Sequence, residues 1–333
     1  MDLNLILLSI IVSAITTYVL TPWIIYKAQK LKLVGFDVNK SDKRAVANFG
    51  GFAIVGALVT SILVAILIFT FYSKDSSVII YLLASISSIL IVSIIGVLDD
   101  LFKLHHKAKV ILPVAGALPL MAIKAGETIV GIPFIGSVDL GLLYTFVVIP
   151  LGITGAANAT NMAAGYNGLE AGIGAIVAAT LLLIAISTNA LAPALILAAL
   201  LGACLMFLKF NWTPAKVFPA DIGTYAIGTT IAAAAIMGNM EKYAVIAILP
   251  AFYELLATVY YEAKGVKRRE ICHAPIISSD GKITPPKGSE KFTLAFLTLA
   301  VFGSDKERNL VLKLLSFFAI TSVISLLMFY FKV

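Results

Sequence analysis

Ten runs of mostly apolar residues, each near the length that crosses a bilayer, follow one another along this 333-residue chain. They cover 3–26, 49–72, 78–98, 110–123, 140–157, 169–186, 191–210, 222–238, 243–261 and 310–331. An α-helix rises about 1.5 Å per residue, so about 20 apolar residues cross about 30 Å of hydrocarbon. No water-soluble core could take in so many such runs. Composition agrees, with 60% hydrophobic residues and only 13% charged ones, about half the usual charged share of roughly 25%. A soluble globular enzyme, a disordered chain and a disulfide scaffold are therefore excluded. The expected fold is an all-α integral membrane protein of ten transmembrane helices, forming one polytopic domain over 1–333. The run 110–123 is short, but Lys109 and Lys124 can snorkel from its two ends.

The basic residues orient these runs. With the amino terminus outside, 20 of the 25 Lys and Arg residues fall in inward loops. The outward side keeps Lys74, Lys124, Lys242 and Lys332, and Lys313 lies in the last run. Lys and Arg collect on the cytoplasmic side of membrane proteins, so both termini are expected outside. The net charge of +7 then reflects loops over anionic lipid, with the bilayer and not nucleic acid as partner. Gly131, Pro133 and Gly136 among β-branched residues make 128–139 a small external β-hairpin. The stretch 263–309 reads as a long cytoplasmic loop. Within it, 292–303 is apolar but too short to span, and reads as an interfacial helix. Cys204 and Cys272 show no CxxC pairing and read as free thiols.

The polar residues collect at the cytoplasmic ends of the runs. Asp99 and Asp100 close the third, Asn158 and Asn161 close the fifth, and Asp221 opens the eighth. Taken alone, Asp221 is an ordinary solvated helix end. Adjacent acids such as Asp99-Asp100 are unfavourable unless a cation binds. A hard cation such as Mg²⁺ takes one or two carboxylates plus substrate phosphates, which this arrangement can offer. Lys103, Lys107 and Lys109 would suit a phosphate-bearing ligand, although alone they are a positively charged inner loop. Asn158 and Asn161 lie one helical turn apart and can supply amide groups to a metal or a base. No GxGxxG or Walker pattern is present. Glu254 lies inside the ninth run after Pro250. An intramembrane acid is a functional candidate by default, with a hydrogen bond inside the bundle as the alternative. A secondary transporter would show several such groups with broken helices in repeated halves. Only Glu254 answers to that, and no repeated half is visible.

Three motifs occur in order on one membrane face: Asp99-Asp100, the run Asn158-x-x-Asn161-x-x-x-Gly165-x-Asn167-Gly168-Leu169, and Phe218-Pro219-Ala220-Asp221. They resemble the polyprenyl-phosphate N-acetylhexosamine-1-phosphate transferases, and the resemblance extends over nearly the whole chain. Residues 167–172 (Asn-Gly-Leu-Glu-Ala-Gly) and 35–40 (Gly-Phe-Asp-Val-Asn-Lys) look most like the archaeal and eukaryotic dolichyl-phosphate branch.

The resemblance implies transfer of N-acetylglucosamine 1-phosphate, or another N-acetylhexosamine 1-phosphate, from its UDP-sugar to dolichyl or polyprenyl phosphate, with release of UMP. It places the work in a cleft on the cytoplasmic face of the cell membrane and is compatible with a homodimer. Asp221 and Asn161 would hold Mg²⁺ (Mn²⁺ could substitute), with Asp100 close by and Asp99 shaping the site. Lys109 falls where the family places a phosphate-binding lysine. Asn167, with the backbone at Gly165, would read uracil, Phe218 would stack on it, and Asn158 would join the substrate contacts. His273 would contact phosphate and sugar. The chain departs from bacterial relatives at Ala164 and Asn167, where Asp is usual, and at Ala220, where Gly usually precedes the metal-binding Asp. It also lacks their histidine triplet near His273.

Overall fold

The computed structural model describes residues 3–73, 76–132, 136–266, 268–272 and 274–332. Its first helix, α1 (Leu3–Lys30), leads into a hairpin of β1 (Val34–Phe36) and β2 (Ala45–Ala47). Next come α2 (Gly51–Ile68), extended by a π turn over Phe69–Ser73, and α3 (Ser76–Phe102). The chain continues through α4 (His106–Ile111), a 3-10 segment Leu112–Ala117 and α5 (Leu118–Ala122). A second hairpin joins β3 (Ile129–Ile132) to β4 (Gly136–Asp139), and a π turn Tyr144–Val148 opens α6 (Ile149–Met162). Four more long helices or helix pairs follow: α7 (Leu169–Ser187), α8 (Leu191–Asn211), α9 (Ala220–Met237), and the pair α10 (Glu241–Ala247) and α11 (Leu249–Ala263). The last third holds α12 (Arg268–Cys272), β5 (Ile276–Ile277), β6 (Lys282–Thr284), α13 (Leu294–Phe302), β7 (Asp305–Lys306) and α14 (Glu307–Phe331).

Seven of these, α1, α2 with its π turn, α3, α7, α8, α9 and α14, are long and apolar enough to cross a membrane without interruption. The other three apolar runs are broken, and proline explains the breaks. A proline lacks the N–H of the helical ladder and its ring crowds the preceding turn. Pro113 and Pro119 fall where α4 gives way to the 3-10 segment and then to α5. Pro150 opens α6 directly after its π turn. Pro250 opens the first turn of α11, which bends by 74° from α10. The bent pair counted as one span makes eight candidate spans.

Helix α9 lies at the centre, packed against α3, α6, α8 and α2, and is buried almost without a gap from Ile222 to Met237. Outer helices keep lipid-facing residues such as Leu7, Ile11, Ile15 and Ile324 exposed. Those positions are stable against hydrocarbon, which is as apolar as they are. Two glycines allow backbone contact around the start of α9. A Cβ on Gly51 would lie 2.3 Å from the Gly223 nitrogen, and one on Gly96 would lie 2.7 Å from the Ile222 nitrogen. The ends of α2 and α3 therefore close directly onto the first turn of α9.

The expected hairpin at 128–139 is present, with Ile129 opposite Asp139 and Ile132 opposite Gly136; its tip at 133–135 lies outside the described residues. The expected short helix at 292–303 is α13, nine residues long and so unable to span. Its start is capped twice. Thr293 accepts the Phe296 N–H at 2.9 Å, and Glu254 accepts the Leu294 N–H at 2.6 Å. The intramembrane acid thus has its bundle hydrogen bond. The three-stranded sheet β5–β6–β7 in the same loop carries no obvious alternation in sequence.

Candidate active site

Four elements, α3, α4, α6 and α9, deliver charged or amide side chains to one end of the bundle. Lys109, in the last turn of α4 and only 8% exposed, forms an ion pair with Asp99 at the end of α3. Its Nζ also lies 3.5 Å from Asp221 Oδ2 in the first turn of α9. The neighbouring Asp100 accepts the backbone N–H of Asp221 at 3.3 Å and that of Ile222 at 3.4 Å. The first N–H groups of a helix have no partner within it and carry its positive end, so a carboxylate suits them. One turn on, Thr224 donates its hydroxyl to Asn161 Oδ1 at 2.7 Å.

The segment carrying Lys109 is itself clamped. Tyr225 donates its hydroxyl to the Lys109 carbonyl at 3.3 Å. Asn158 is buried and uses its amide to donate to the Val110 carbonyl at 3.0 Å and to Thr154 at 2.9 Å. Asn158 therefore holds the residue after the lysine from α6. Two carboxylates contact one ammonium here, with Asp100 beside Asp221, and like charges gathered this way are costly until a further cation joins them. The cluster opens on a cleft with about 1180 Å³ of empty space, lined among others by Lys109, Asn161, Asp221, Glu262 and Cys272.

The donor set fits Mg²⁺. Its atoms are all oxygens, as a hard cation requires. Among the described residues no three His, Cys, Asp or Glu side chains close a metal cage by themselves. Mg²⁺ seldom needs one, because it keeps waters and takes substrate phosphates. Asp221 and Asn161 on one open cleft, with Asp100 bonded to the backbone of Asp221 beside it, meet that pattern.

A second cleft, with about 740 Å³ of empty space, adjoins the first and shares Asp221, Gly165 and Tyr166 with it. Phe218 lies in its wall, fixed by its N–H donating to Ala47 and its carbonyl accepting from Gly50, both at 2.8 Å. Asn167 lies across it and is tied to Asp37 and Glu307. The peptide groups of Gly165 are occupied: its N–H donates to Glu170 at 2.8 Å and its carbonyl accepts from Asn39 at 2.7 Å. A base in this cleft meets the Asn167 side chain more readily than the Gly165 backbone. His273 lies outside the described residues. Glu307, Thr224 and Tyr225 did not stand out in the sequence, and Asp37 did so only as part of the 35–40 stretch.

Residues 80–239 match the family model described as "Glycosyl transferase family 4". A protein of Sulfolobus acidocaldarius named "Putative UDP-N-acetylglucosamine--dolichyl-phosphate N-acetylglucosaminephosphotransferase" is 35% identical over 279 residues, covering 83% of this chain and 84% of that protein. The chain belongs to glycosyl transferase family 4. The UDP-N-acetylglucosamine--dolichyl-phosphate N-acetylglucosaminephosphotransferase of Schizosaccharomyces pombe is 31% identical over 199 residues, 53% of this chain and 44% of its own length. The phospho-N-acetylmuramoyl-pentapeptide-transferase of Halalkalibacterium halodurans is 36% identical over 256 residues, 72% of this chain and 76% of that protein. The stretch matching family 4 contains Asp99, Asp100, Lys109, Asn158, Asn161, Gly165, Asn167, Phe218 and Asp221, while Asp37 and Glu307 fall outside it. Together with its apolar helices, membership of this family makes the chain a multi-pass membrane glycosyl transferase.

Proposed function

We propose that the protein transfers N-acetylglucosamine 1-phosphate from UDP-N-acetylglucosamine to dolichyl phosphate, releasing UMP and leaving a lipid-linked diphosphate sugar. The observation that carries this reading is Lys109, held between Asp99 and Asp221 where a charged cleft runs into the pocket of Asn167 and Phe218. A lipid phosphate and a nucleotide diphosphate are both anions, so the chief demand is to neutralise and align them. Lys109 supplies a fixed ammonium for the non-bridging oxygens, and Asp99 keeps it from swinging away. An oxygen of the lipid phosphate attacks the sugar-linked phosphorus, and the bond to the UMP oxygen breaks. Asn167 and Phe218 hold the uracil, and His273 would contact phosphate and sugar. Mg²⁺, or Mn²⁺ in its place, bound by Asp221, Asn161 and Asp100 would supply further charge neutralisation on the diphosphate.

The same reading places the site on the cytoplasmic face of the cell membrane, with ten passes and both termini outside. The uneven distribution of Lys and Arg supports it. So does the gathering at one site of the ends of α3 and α6 with the starts of α9 and α14. The names of the Sulfolobus and Schizosaccharomyces relatives favour N-acetylglucosamine and dolichyl phosphate. The test uses purified protein in detergent with dolichyl phosphate, Mg²⁺ and separate UDP-sugars. UMP and lipid-diphosphate N-acetylglucosamine are expected from UDP-N-acetylglucosamine. Faster turnover of UDP-N-acetylmuramoyl-pentapeptide would overturn the sugar assignment, and no UMP from any UDP-sugar would overturn the transferase reading.

A further inference from the structure

Glu307, in the first turn of α14, is a buried carboxylate at the meeting point of four segments. Lys40 forms an ion pair with it, Thr213 donates to its Oε2 at 3.1 Å, and the Asn167 backbone N–H donates to its Oε1 at 2.9 Å. Asp37, buried in the loop between α1 and α2, accepts the Asn39 N–H at 3.2 Å. Both acids also accept from the side-chain amide of Asn167. Its Nδ2 lies 2.9 Å from Asp37 Oδ2 and 3.2 Å from Glu307 Oε2. The three side chains are 2–3% exposed.

An ionised carboxylate only accepts hydrogen bonds, whereas an amide has a donating and an accepting end. With a carboxylate oxygen at each of its two amide hydrogens, the Asn167 amide has one tolerable orientation. Turned by half a rotation, it would set its oxygen against two carboxylate oxygens in a buried site, where such contacts are most costly. The side chain is left with Oδ1 to offer the cleft that it shares with Phe218.

We infer, on the transferase reading above, that Asp37 and Glu307 are positioning residues that lock the Asn167 amide with its oxygen toward the pyrimidine, so that the pocket selects a base with a ring N–H and rejects cytosine. Uracil carries a hydrogen on N3 and can donate it to Oδ1. Cytosine presents a lone pair at N3, which would face the Asn167 oxygen and leave both acceptors unpaired. A site built to pair one polar group discriminates strongly against an analogue that lacks it. The simpler alternative is that the network only fastens the 31–50 loop to α14. In that case its loss would weaken every nucleotide alike and leave the choice of base untouched.

The test is calorimetric binding of UMP, CMP and 3-methyl-UMP to the full-length protein in detergent with Mg²⁺, for the wild type, Asp37→Asn and Glu307→Gln. The wild type is expected to bind UMP at least tenfold more tightly than either CMP or 3-methyl-UMP. Each substitution places a donor where the lock needs an acceptor, so the UMP-to-CMP preference should fall fivefold or more. Thermal unfolding identifies which variants are folded, and either one alone suffices for the comparison. Wild-type protein that binds UMP and CMP equally overturns the proposal without any variant. So does a folded variant in which both nucleotides weaken in parallel and the ratio holds. Wild-type protein that binds no uridine nucleotide overturns the transferase reading itself, a result distinct from loss of base preference.

Discussion

Asp100 accepts the backbone N–H of Asp221 at 3.3 Å, so the end of α3 caps the start of α9 at the residue proposed to bind metal. This contact depends on Gly96, one turn earlier, whose missing side chain lets α3 reach the Ile222 backbone. In Gly96→Ala the new methyl would lie 2.7 Å from Ile222 Cα and nitrogen, atoms that cannot rotate away. Overpacking of this kind costs about 1–3 kcal/mol. The expected outcome is a lower melting temperature together with at least a tenfold loss of UMP release, because the helices must separate at the site. Wild-type turnover in Gly96→Ala would show that the close approach is not needed for activity.

Removal of the metal gives a second prediction. EDTA should abolish UMP release, and added Mg²⁺ or Mn²⁺ should restore it. Asp221→Asn should lower kcat on the order of a hundredfold, several kcal/mol of transition-state stabilisation being lost with the charge. An EDTA-resistant activity would remove the metal from the proposed mechanism.

Phe218 is expected to act on binding more than on chemistry. Stacking of a base on an aromatic ring contributes about 1–3 kcal/mol. Phe218→Ala should therefore raise KM for the nucleotide sugar by about fivefold to a hundredfold, with a smaller change in kcat. Its backbone bonds to Ala47 and Gly50 do not involve the ring and should survive the substitution. The split between KM and kcat, measured by steady-state UMP release, is the check.

Ala220 has φ of +57°, in the left-handed region that glycine adopts freely. A side chain there costs about 1–2 kcal/mol, partly offset because glycine loses more freedom on folding. Ala220→Gly should stabilise the protein by about 0.5–1 kcal/mol, seen as a rise in melting temperature on the order of 1–2 °C. A fall in melting temperature would mean that the Ala220 methyl makes packing contacts worth more than the strain.

The spanning runs were legible because a bilayer imposes one length and one polarity on whatever crosses it. Where the reading was too smooth, local backbone chemistry explains the difference. Pro113, Pro119, Pro150 and Pro250 leave the apolar composition intact while interrupting the helical ladder. Asp99, Lys109 and Asp221 could be suspected of meeting because all three lie at inward helix ends. Asn158 was harder to read. Sequence spacing sets it beside Asn161, yet its amide hydrogens go to Val110 and Thr154. Glu307 gave no sign at all, and Asp37 was visible only inside the 35–40 stretch, with no role attached to it. An Asp in a polar loop and a Glu in a first helical turn are both ordinary, the latter because it complements the helix dipole. Their shared partner is a product of tertiary packing alone.

That packing has a consequence for biosynthesis. The carboxylates on Asn167 come from the loop after the first helix and from the opening turn of the last. A nascent chain carrying the whole stretch that matches family 4 still lacks half of this clasp. The pocket around Asn167 is completed only when α14 has entered the bundle, so its assembly records the arrival of that helix.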